Sequence, residues 1–112
     1  MVRKGYNKYG AKKVSIQGIT FHSRREGFRY LELLSQQQQG HISELELQPK
    51  YTCIVNDKKV CDYIADFKYM DRDSGEIIIE DVKSPITAKN STYRLKKKLV
   101  EALHAVVITE VK

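Results

Sequence analysis

The sequence contains little cysteine and no long apolar run, and both features narrow the class of protein. Its two cysteines, Cys53 and Cys61, are too few for a disulfide scaffold and lack the paired spacing of a zinc site. No apolar run approaches the roughly 20 residues that span a bilayer, and residues 1–5 lead into no apolar signal segment. We therefore expect a cytoplasmic protein with reduced thiols and no membrane partner.

The length and composition are typical of one small globular domain. The chain has 112 residues, of which 41% are hydrophobic and 30% are charged. These values exclude wholesale disorder and leave no room for a second core of comparable size. We predict a single domain over residues 14–112, preceded by a flexible arm over residues 1–13.

The net charge of +6 is distributed unevenly along the chain. Residues 1–30 carry eight Lys or Arg against one acid, residues 31–81 carry five against eleven, and residues 82–112 carry seven against two. A protein that cleaves phosphodiesters needs both signs, because cations bind backbone phosphates and carboxylates bind metal. The pattern favours a phosphodiester-cleaving protein over one that merely coats a polyanion.

The arm combines basic residues with Tyr6 and Tyr9, a mixture that suits phosphate contact and base stacking. An inert frayed terminus is the alternative. The predicted nucleic-acid contacts in the arm are Arg3, Lys4, Lys8, Lys12 and Lys13.

Hydrophobic periodicity predicts an N-terminal hairpin, two helices and a series of strands. The hairpin covers residues 14–21, the first helix 23–39, and the strands 42–48, 51–55, 60–69, 76–83 and 106–111. The buried face of the first helix is predicted as Phe28, Leu31 and Leu34 with Tyr30 and Leu33 beside them, and that of the second helix as Leu95, Leu99, Ala102 and Leu103. This order predicts an α/β fold with a central mixed sheet flanked by helices.

The strand over residues 76–83 carries a possible catalytic pair. Its isoleucines indicate burial on both faces, and hence a central position. Asp81 and Lys83 should point the same way, about 7 Å apart along the strand, although a surface ion pair at a strand end has the same spacing. Asp66 lies in an equally apolar strand, where a buried carboxylate needs a partner. If Asp66 and Asp81 lie close together, their carboxylates repel each other, and a divalent cation between them would relieve that repulsion. Their hard oxygen ligands favour Mg²⁺ or Mn²⁺.

These residues carry a family resemblance. Asp66 followed by Asp81-Val82-Lys83 resembles the PD-(D/E)xK nuclease superfamily, and the element order resembles its restriction-endonuclease-like αβββαβ core, although Ala65 stands where proline is common. Longer sequence segments resemble small phage-encoded proteins of that superfamily, and some superfamily members are Holliday-junction resolvases. Those segments are Tyr9-Gly10, Phe21-His22-Ser23 with Glu26, Leu47-Gln48-Pro49-Lys50, residues 63–69 and residues 79–84.

The resemblance implies a role for two further residues. It favours Glu26 as a metal ligand, whereas Ser23 to Glu26 also reads as a capping box in which the glutamate only satisfies a backbone donor. It places Gln48 in the lining of the site, where a polar residue at a strand end is the alternative.

Four basic residues on the second helix complete the set of predicted nucleic-acid contacts. Such runs are usually solvated faces, but beside a nuclease site they would bind phosphates without reading sequence. They are Arg94, Lys96, Lys97 and Lys98.

Together, these features predict a metal-dependent endodeoxyribonuclease with Glu26, Asp66 and Asp81 as ligands and Lys83 as a charged assistant. Duplex or branched DNA is the expected substrate, and cleavage of both strands favours a homodimer. If the chain is phage-encoded, it should act in the host bacterial cytoplasm. The alternatives are a catalytically inactive nuclease-fold module that binds DNA or a host protein, and an enzyme that cleaves RNA.

Overall fold

The computed structural model describes residues 13–112, and in this range it contains three helices and eight strands. The strands are β1 (Val14–Ile16), β2 (Ile19–Phe21), β3 (Ile42–Leu47), β4 (Lys50–Val55), β5 (Lys58–Ile64), β6 (Phe67–Asp71), β7 (Ile77–Val82) and β8 (Ile108–Val111). The helices are α1 (Arg24–Gln38), α2 (Pro85–Ala88) and α3 (Ser91–His104). None of these helices is long and apolar enough to cross a membrane. The predicted α/β class is confirmed.

Four strands form the central sheet, in the order β3-β6-β7-β8. The pairs β3–β6 and β6–β7 are antiparallel, whereas β7 and β8 run parallel. Parallel neighbours need a crossover connection, and α2 and α3 provide it. The sheet is therefore mixed, and β7 lies inside it with a neighbour on each side, as the sequence predicts.

Both faces of this sheet are covered by apolar residues. One cluster joins α1 and β2 to the sheet through Phe21, Tyr30, Leu33, Ile42, Phe67 and Tyr69. The other joins α3 and the β4–β5 hairpin to the sheet through Cys53, Tyr63, Ala65, Ile79, Val100 and Ile108. Because β7 contributes to both clusters, it is buried on both faces from Ile78 onwards. Ile77, at its start, is 52% exposed, so its predicted burial is wrong.

The predicted continuous strand over residues 60–69 is wrong, because the chain divides there into β5 and β6. β5 pairs with β4 in a separate two-stranded sheet, and β6 enters the central sheet. The backbone N–H of Ala65 donates to the carbonyl of Pro49, and that of Asp66 donates to the carbonyl of Glu80, at 3.0 Å each. The chain thus passes from one sheet to the other at Asp66.

The predicted buried face of α1 is partly wrong. Gly27 and Tyr30 are buried, whereas Phe28 and Leu31 are 62% and 42% exposed. The β1–β2 hairpin packs on the helix at Gly27, where an added Cβ would lie only 2.8 Å from Cδ1 of Ile16. The hairpin therefore selects the buried side of the helix, and the bulkier apolar residues lie elsewhere.

The predicted buried face of the second helix is also partly wrong. Leu95, Ala102 and Leu103 are exposed, whereas Val100 is fully buried and Tyr93 is partly buried. α3 packs against β4 and β5, which lie on the side of Tyr93 and Val100. The outer side of α3 is left with apolar as well as charged residues.

The connection between β7 and α3 contains a helical turn that the sequence analysis did not predict. β7 ends at Val82, and Ser84 then caps α2 by accepting a hydrogen bond from the N–H of Thr87 at 3.2 Å. Pro85 occupies the first position of this turn, where its missing N–H costs nothing.

Candidate active site

Asp66 and Asp81 are in direct contact at the point where the chain enters the central sheet. The backbone N–H of Asp66 donates to Oδ1 of Asp81 at 3.1 Å. Oδ2 of Asp66 accepts a hydrogen bond from the N–H of Val82 at 2.7 Å. β7 therefore binds Asp66 at two points, the backbone of Val82 and the side chain of Asp81. Asp81 is itself only 1% exposed.

Glu26 reaches the same place from the first turn of α1. Its backbone N–H donates to Oγ of Ser23 at 3.1 Å, and its Oε1 accepts from the N–H of His22 at 2.9 Å. These are capping contacts, although the glutamate serves the residue before the cap rather than the cap itself. The Glu26 carboxyl lines one cavity with that of Asp66 and is close enough to raise its pKa. Glu26 therefore makes capping contacts and also lies beside Asp66, while its role as a metal ligand stays a prediction.

The grouping of these carboxyls changes their proton affinity. Burial, followed by the contact with Glu26, raises the pKa of Asp66 to about 9. Burial also raises the pKa of Asp81, while the hydrogen bond from Tyr63 and the charge of Lys83 oppose the shift. Two carboxyls in contact repel each other once both are ionised, and a shared proton or a divalent cation relieves that repulsion.

Lys83 lies beside Asp81, as the strand periodicity predicts. Both line an open cavity of about 280 Å³ that also includes Tyr63, Tyr93 and Lys96. The Lys83 ammonium lies 4.8 Å from the centre of the Tyr93 ring, a distance at which a cation is attracted to the ring face. An ammonium group and a buried carboxylate thus face one solvent-accessible space.

The hydroxyl of Tyr93 is fixed by a hydrogen bond to β8. It donates to Oε2 of Glu110 at 2.8 Å, and Nζ of Lys97 lies 3.4 Å from the same oxygen. These contacts lower the pKa of Glu110, so the acceptor stays ionised near neutral pH. The ring that supports Lys83 is therefore fixed by β8.

Gln48 lines a second, smaller cavity of about 140 Å³ together with Glu26 and Asp66. Its backbone has a φ of +53° and its N–H donates to the carbonyl of Asp66 at 3.0 Å. A left-handed conformation is unusual for a residue other than glycine. The turn at Gln48 and the bend at Asp66 thus fix each other, and they place Gln48 in one cavity with Glu26 and Asp66.

Sequence reasoning missed Tyr63, whose hydroxyl donates a hydrogen bond to Oδ2 of Asp81. A buried tyrosine hydroxyl normally finds a partner, and Tyr63 lies in the same apolar segment as Asp66. That signal was present in the sequence, but the segment was interpreted as one straight strand. The bend at Asp66 gives Tyr63 and Asp66 their different contacts with Asp81.

Five of the nine predicted basic residues lie within the described residues. On α3, Lys96 and Lys97 are partly buried on the inner side, whereas Arg94 and Lys98 are exposed on the outer side. Lys13 is exposed next to β1. The remaining predicted contacts, Arg3, Lys4, Lys8 and Lys12, lie outside the described residues.

The donor chemistry of the site fits a hard divalent cation, because its three carboxyls offer only oxygen ligands. Within residues 13–112, no group of three or more His, Cys, Asp or Glu side chains has an arrangement that could hold a metal ion as it stands. In the present arrangement, N–H and O–H groups contact the carboxylate oxygens of Glu26, Asp66 and Asp81. Side-chain movement would be needed to turn three oxygens towards one point.

Comparison with known proteins places nearly the whole chain in one family. No curated protein and no solved structure matches the chain. One protein family matches over residues 6–110, a range that includes every element described above except the last residue of β8. The chain therefore belongs to the family described as a protein of unknown function, DUF1064.

Proposed function

We propose that this chain is a metal-dependent endodeoxyribonuclease with a restriction-endonuclease-like core, related to the PD-(D/E)xK superfamily. The observation that carries the proposal is that Asp66 hydrogen-bonds Asp81 and lines one cavity with Glu26. Lys83 lies beside this group and faces the same cavity as Asp81. Clustered, buried carboxyls oppose folding, so their presence beside an ammonium group favours a catalytic role.

Glu26, Asp66 and Asp81 would hold Mg²⁺ or Mn²⁺. Such a cation, when bound, polarises a phosphate and lowers the pKa of a bound water. Tyr63 orients Asp81 through its hydrogen bond to Oδ2. Lys83, supported by the Tyr93 ring, would stabilise negative charge that develops on the phosphate during hydrolysis.

The arrangement of the fold supports the same proposal. The central sheet is mixed, and helices pack on both of its faces. Asp66 and Asp81 come from neighbouring segments of this sheet, as the superfamily resemblance implies. One domain provides one site, so cleavage of both strands of duplex or branched DNA would require a homodimer with two-fold symmetry.

A binding module without catalytic activity is the second candidate. The hydrogen bonds that already contact the carboxylates of Asp66 and Asp81 favour this candidate, because a purely structural network would contain such bonds. The two candidates differ in one measurable property. Only the nuclease would cleave DNA, and that cleavage would require the carboxylates and a divalent cation.

The deciding experiment incubates the protein with linear duplex, single-stranded and four-way-junction DNA in Mg²⁺, Mn²⁺ or EDTA. Asp81→Asn and Lys83→Met are compared with Asp73→Asn, a control in an exposed turn. We expect cleavage that requires metal, a loss of at least about 100-fold with either site substitution, and no loss with the control. Binding without metal-dependent cleavage would support the inactive module, and equal cleavage by all proteins would indicate a contaminant.

A further inference from the structure

The basic residues around α3 form two sets on opposite sides of the helix. Arg94 and Lys98 are four positions apart and share one side, whereas Lys96 is two positions from each. At 3.6 residues per turn, Lys96 therefore points about 160° to 200° away from them. Burial agrees with this geometry, since Lys96 is partly buried and the other two are exposed.

The inner set, formed by Lys83 and Lys96, belongs to the candidate active site. Lys83 and Lys96 line the cavity of about 280 Å³ that contains Asp81. A strand whose scissile phosphate reaches Asp81 would pass between these two cations. This set therefore suits the strand that is cut.

The outer set is formed by Lys89, Arg94 and Lys98. It lies in a different depression, of about 240 Å³, which Ser91 and Leu95 also line. No acidic side chain lines it. Among residues 13–112, none of its three cations takes part in an ion pair. Like charges four positions apart on a helix repel each other slightly, and a bound polyanion would relieve that repulsion.

The ridge between the two sets is narrow and partly apolar. Leu95 lies on it and is 68% exposed. A helix with its side chains is about 10 Å across, and the major groove of B-form DNA is about 12 Å wide and is bordered by the phosphates of both strands. Two rows of cations separated by one helix match those two rows of phosphates.

We propose that α3 lies along the major groove of a B-form DNA duplex, so that Lys89, Arg94 and Lys98 bind the phosphates of the strand that is not cut. This inference rests on the proposed function for the position of the cut strand. Leu95 would then face the base edges, where the thymine methyl group offers an apolar contact. The substrate is accordingly double-stranded DNA at the point of cleavage, whether linear or within one arm of a branch.

The test measures binding in EDTA, so that it does not depend on cleavage. Duplex DNA, single-stranded DNA and duplex RNA of one length are titrated over a range of salt concentrations. The outer set is reduced in Arg94→Gln/Lys98→Gln, and the inner set in Lys96→Gln. The matched control is Lys58→Gln/Arg72→Gln, which changes two exposed cations, one at the start of β5 and one in the β6–β7 turn. Circular dichroism checks that each variant is folded.

We expect the outer variant to weaken duplex DNA binding by at least about tenfold and to lower its salt slope by about 2, because each phosphate contact contributes about 0.9. Its binding to single-stranded DNA and to duplex RNA should change less than about twofold, since an A-form major groove is too narrow for a helix. Lys96→Gln should weaken the binding of both duplex and single-stranded DNA, because its strand is present in each.

Equal losses of duplex and single-stranded binding in the outer variant would overturn the inference, as would a loss no larger than that of the control. An equal loss with duplex RNA would also overturn it, because the groove would then not be B-form. Cleavage is measured separately in Mg²⁺. Absence of cleavage with the expected binding pattern would refute the nuclease while leaving the placement of α3 on duplex DNA supported.

Discussion

Arg29 on α1 and Glu80 on β7 form a two-point ion pair beneath the candidate active site. Nε of Arg29 lies 2.8 Å from Oε1 of Glu80, and Nη2 lies 2.6 Å from Oε2. Tyr69 donates a further hydrogen bond to Glu80, whose side chain is only 2% exposed. Since Glu26 precedes Arg29 by one helical turn and Asp81 follows Glu80, the pair fixes the distance between the two halves of the site.

Loss of one partner of this pair should be costly. Arg29→Met leaves the Glu80 carboxylate buried without its cation, and we expect the free energy of unfolding to fall by about 3 to 5 kcal/mol. Arg29→Met/Glu80→Leu should recover most of that loss, because an apolar pair needs no desolvation of charge. Urea denaturation checks both variants.

Glu32 provides the control, because its bond to Arg29 is exposed, at 64% for the glutamate side chain. Glu32→Ala should cost less than about 1 kcal/mol. If Arg29→Met costs no more than this control, the pair does not fix α1 on β7.

The hydroxyl of Tyr63 should lower the pKa of Asp81 and strengthen its binding of metal. Its hydrogen bond favours the ionised carboxylate, so Tyr63→Phe should raise the pKa of Asp81 and weaken metal binding. We expect the Mg²⁺ concentration for half-maximal cleavage to rise roughly tenfold. Tyr51→Phe is the control, since that partly buried ring packs on His104 away from the carboxyls. Equal metal dependence of the two variants would show that the Tyr63 hydroxyl has no such role.

The stability of the metal-free protein should depend on pH through Asp66. Its pKa is raised from 3.8 in the unfolded reference to about 9, so protonation contributes stability that is fully present below the lower value. This contribution is lost as pH rises through the higher one. Asp66→Asn should flatten the decline in the free energy of unfolding, measured by urea denaturation at a series of pH values. Parallel pH curves for the two proteins would contradict the shift.

The two cysteines should differ in reactivity although they are direct neighbours. Cys53 and Cys61 face each other across β4 and β5, and both are free thiols. Burial raises the pKa of the Cys53 thiol, and its side chain is fully buried, whereas Cys61 is partly exposed. Iodoacetamide should therefore modify Cys61 first and Cys53 only as fast as the β4–β5 hairpin opens. Equal rates, followed by mass spectrometry, would contradict this packing.

The elements that local sequence signals determine were predictable. Ser23 and Gly40 mark the ends of α1, and the structure has a cap at Ser23 and a φ of +85° at Gly40. The apolar run before Asp81 indicates an inner strand, and β7 is one. These features depend on a few neighbouring residues, so one sequence was sufficient to predict them.

The features that depend on distant partners were not predictable. The buried side of α1 is selected by the hairpin at Gly27 rather than by the bulk of Phe28 or Leu31. The bend at Asp66 has no glycine or proline to mark it, and backbone bonds to Pro49 and Glu80 hold it in place. The contact of Asp66 with Asp81 was anticipated from the need of a buried charge for a partner, but the bend that produces it was not.

The central claim is that Glu26, Asp66 and Asp81 share one divalent cation. Calorimetric titration of Mn²⁺ into the protein without DNA tests it most directly, with Glu26→Gln, Asp66→Asn, Asp81→Asn and the control Asp73→Asn. We expect one strong site in the unsubstituted protein and in the control, and at least about tenfold weaker binding in each of the other three. Mn²⁺ binding that is equally tight in all five proteins would contradict the account.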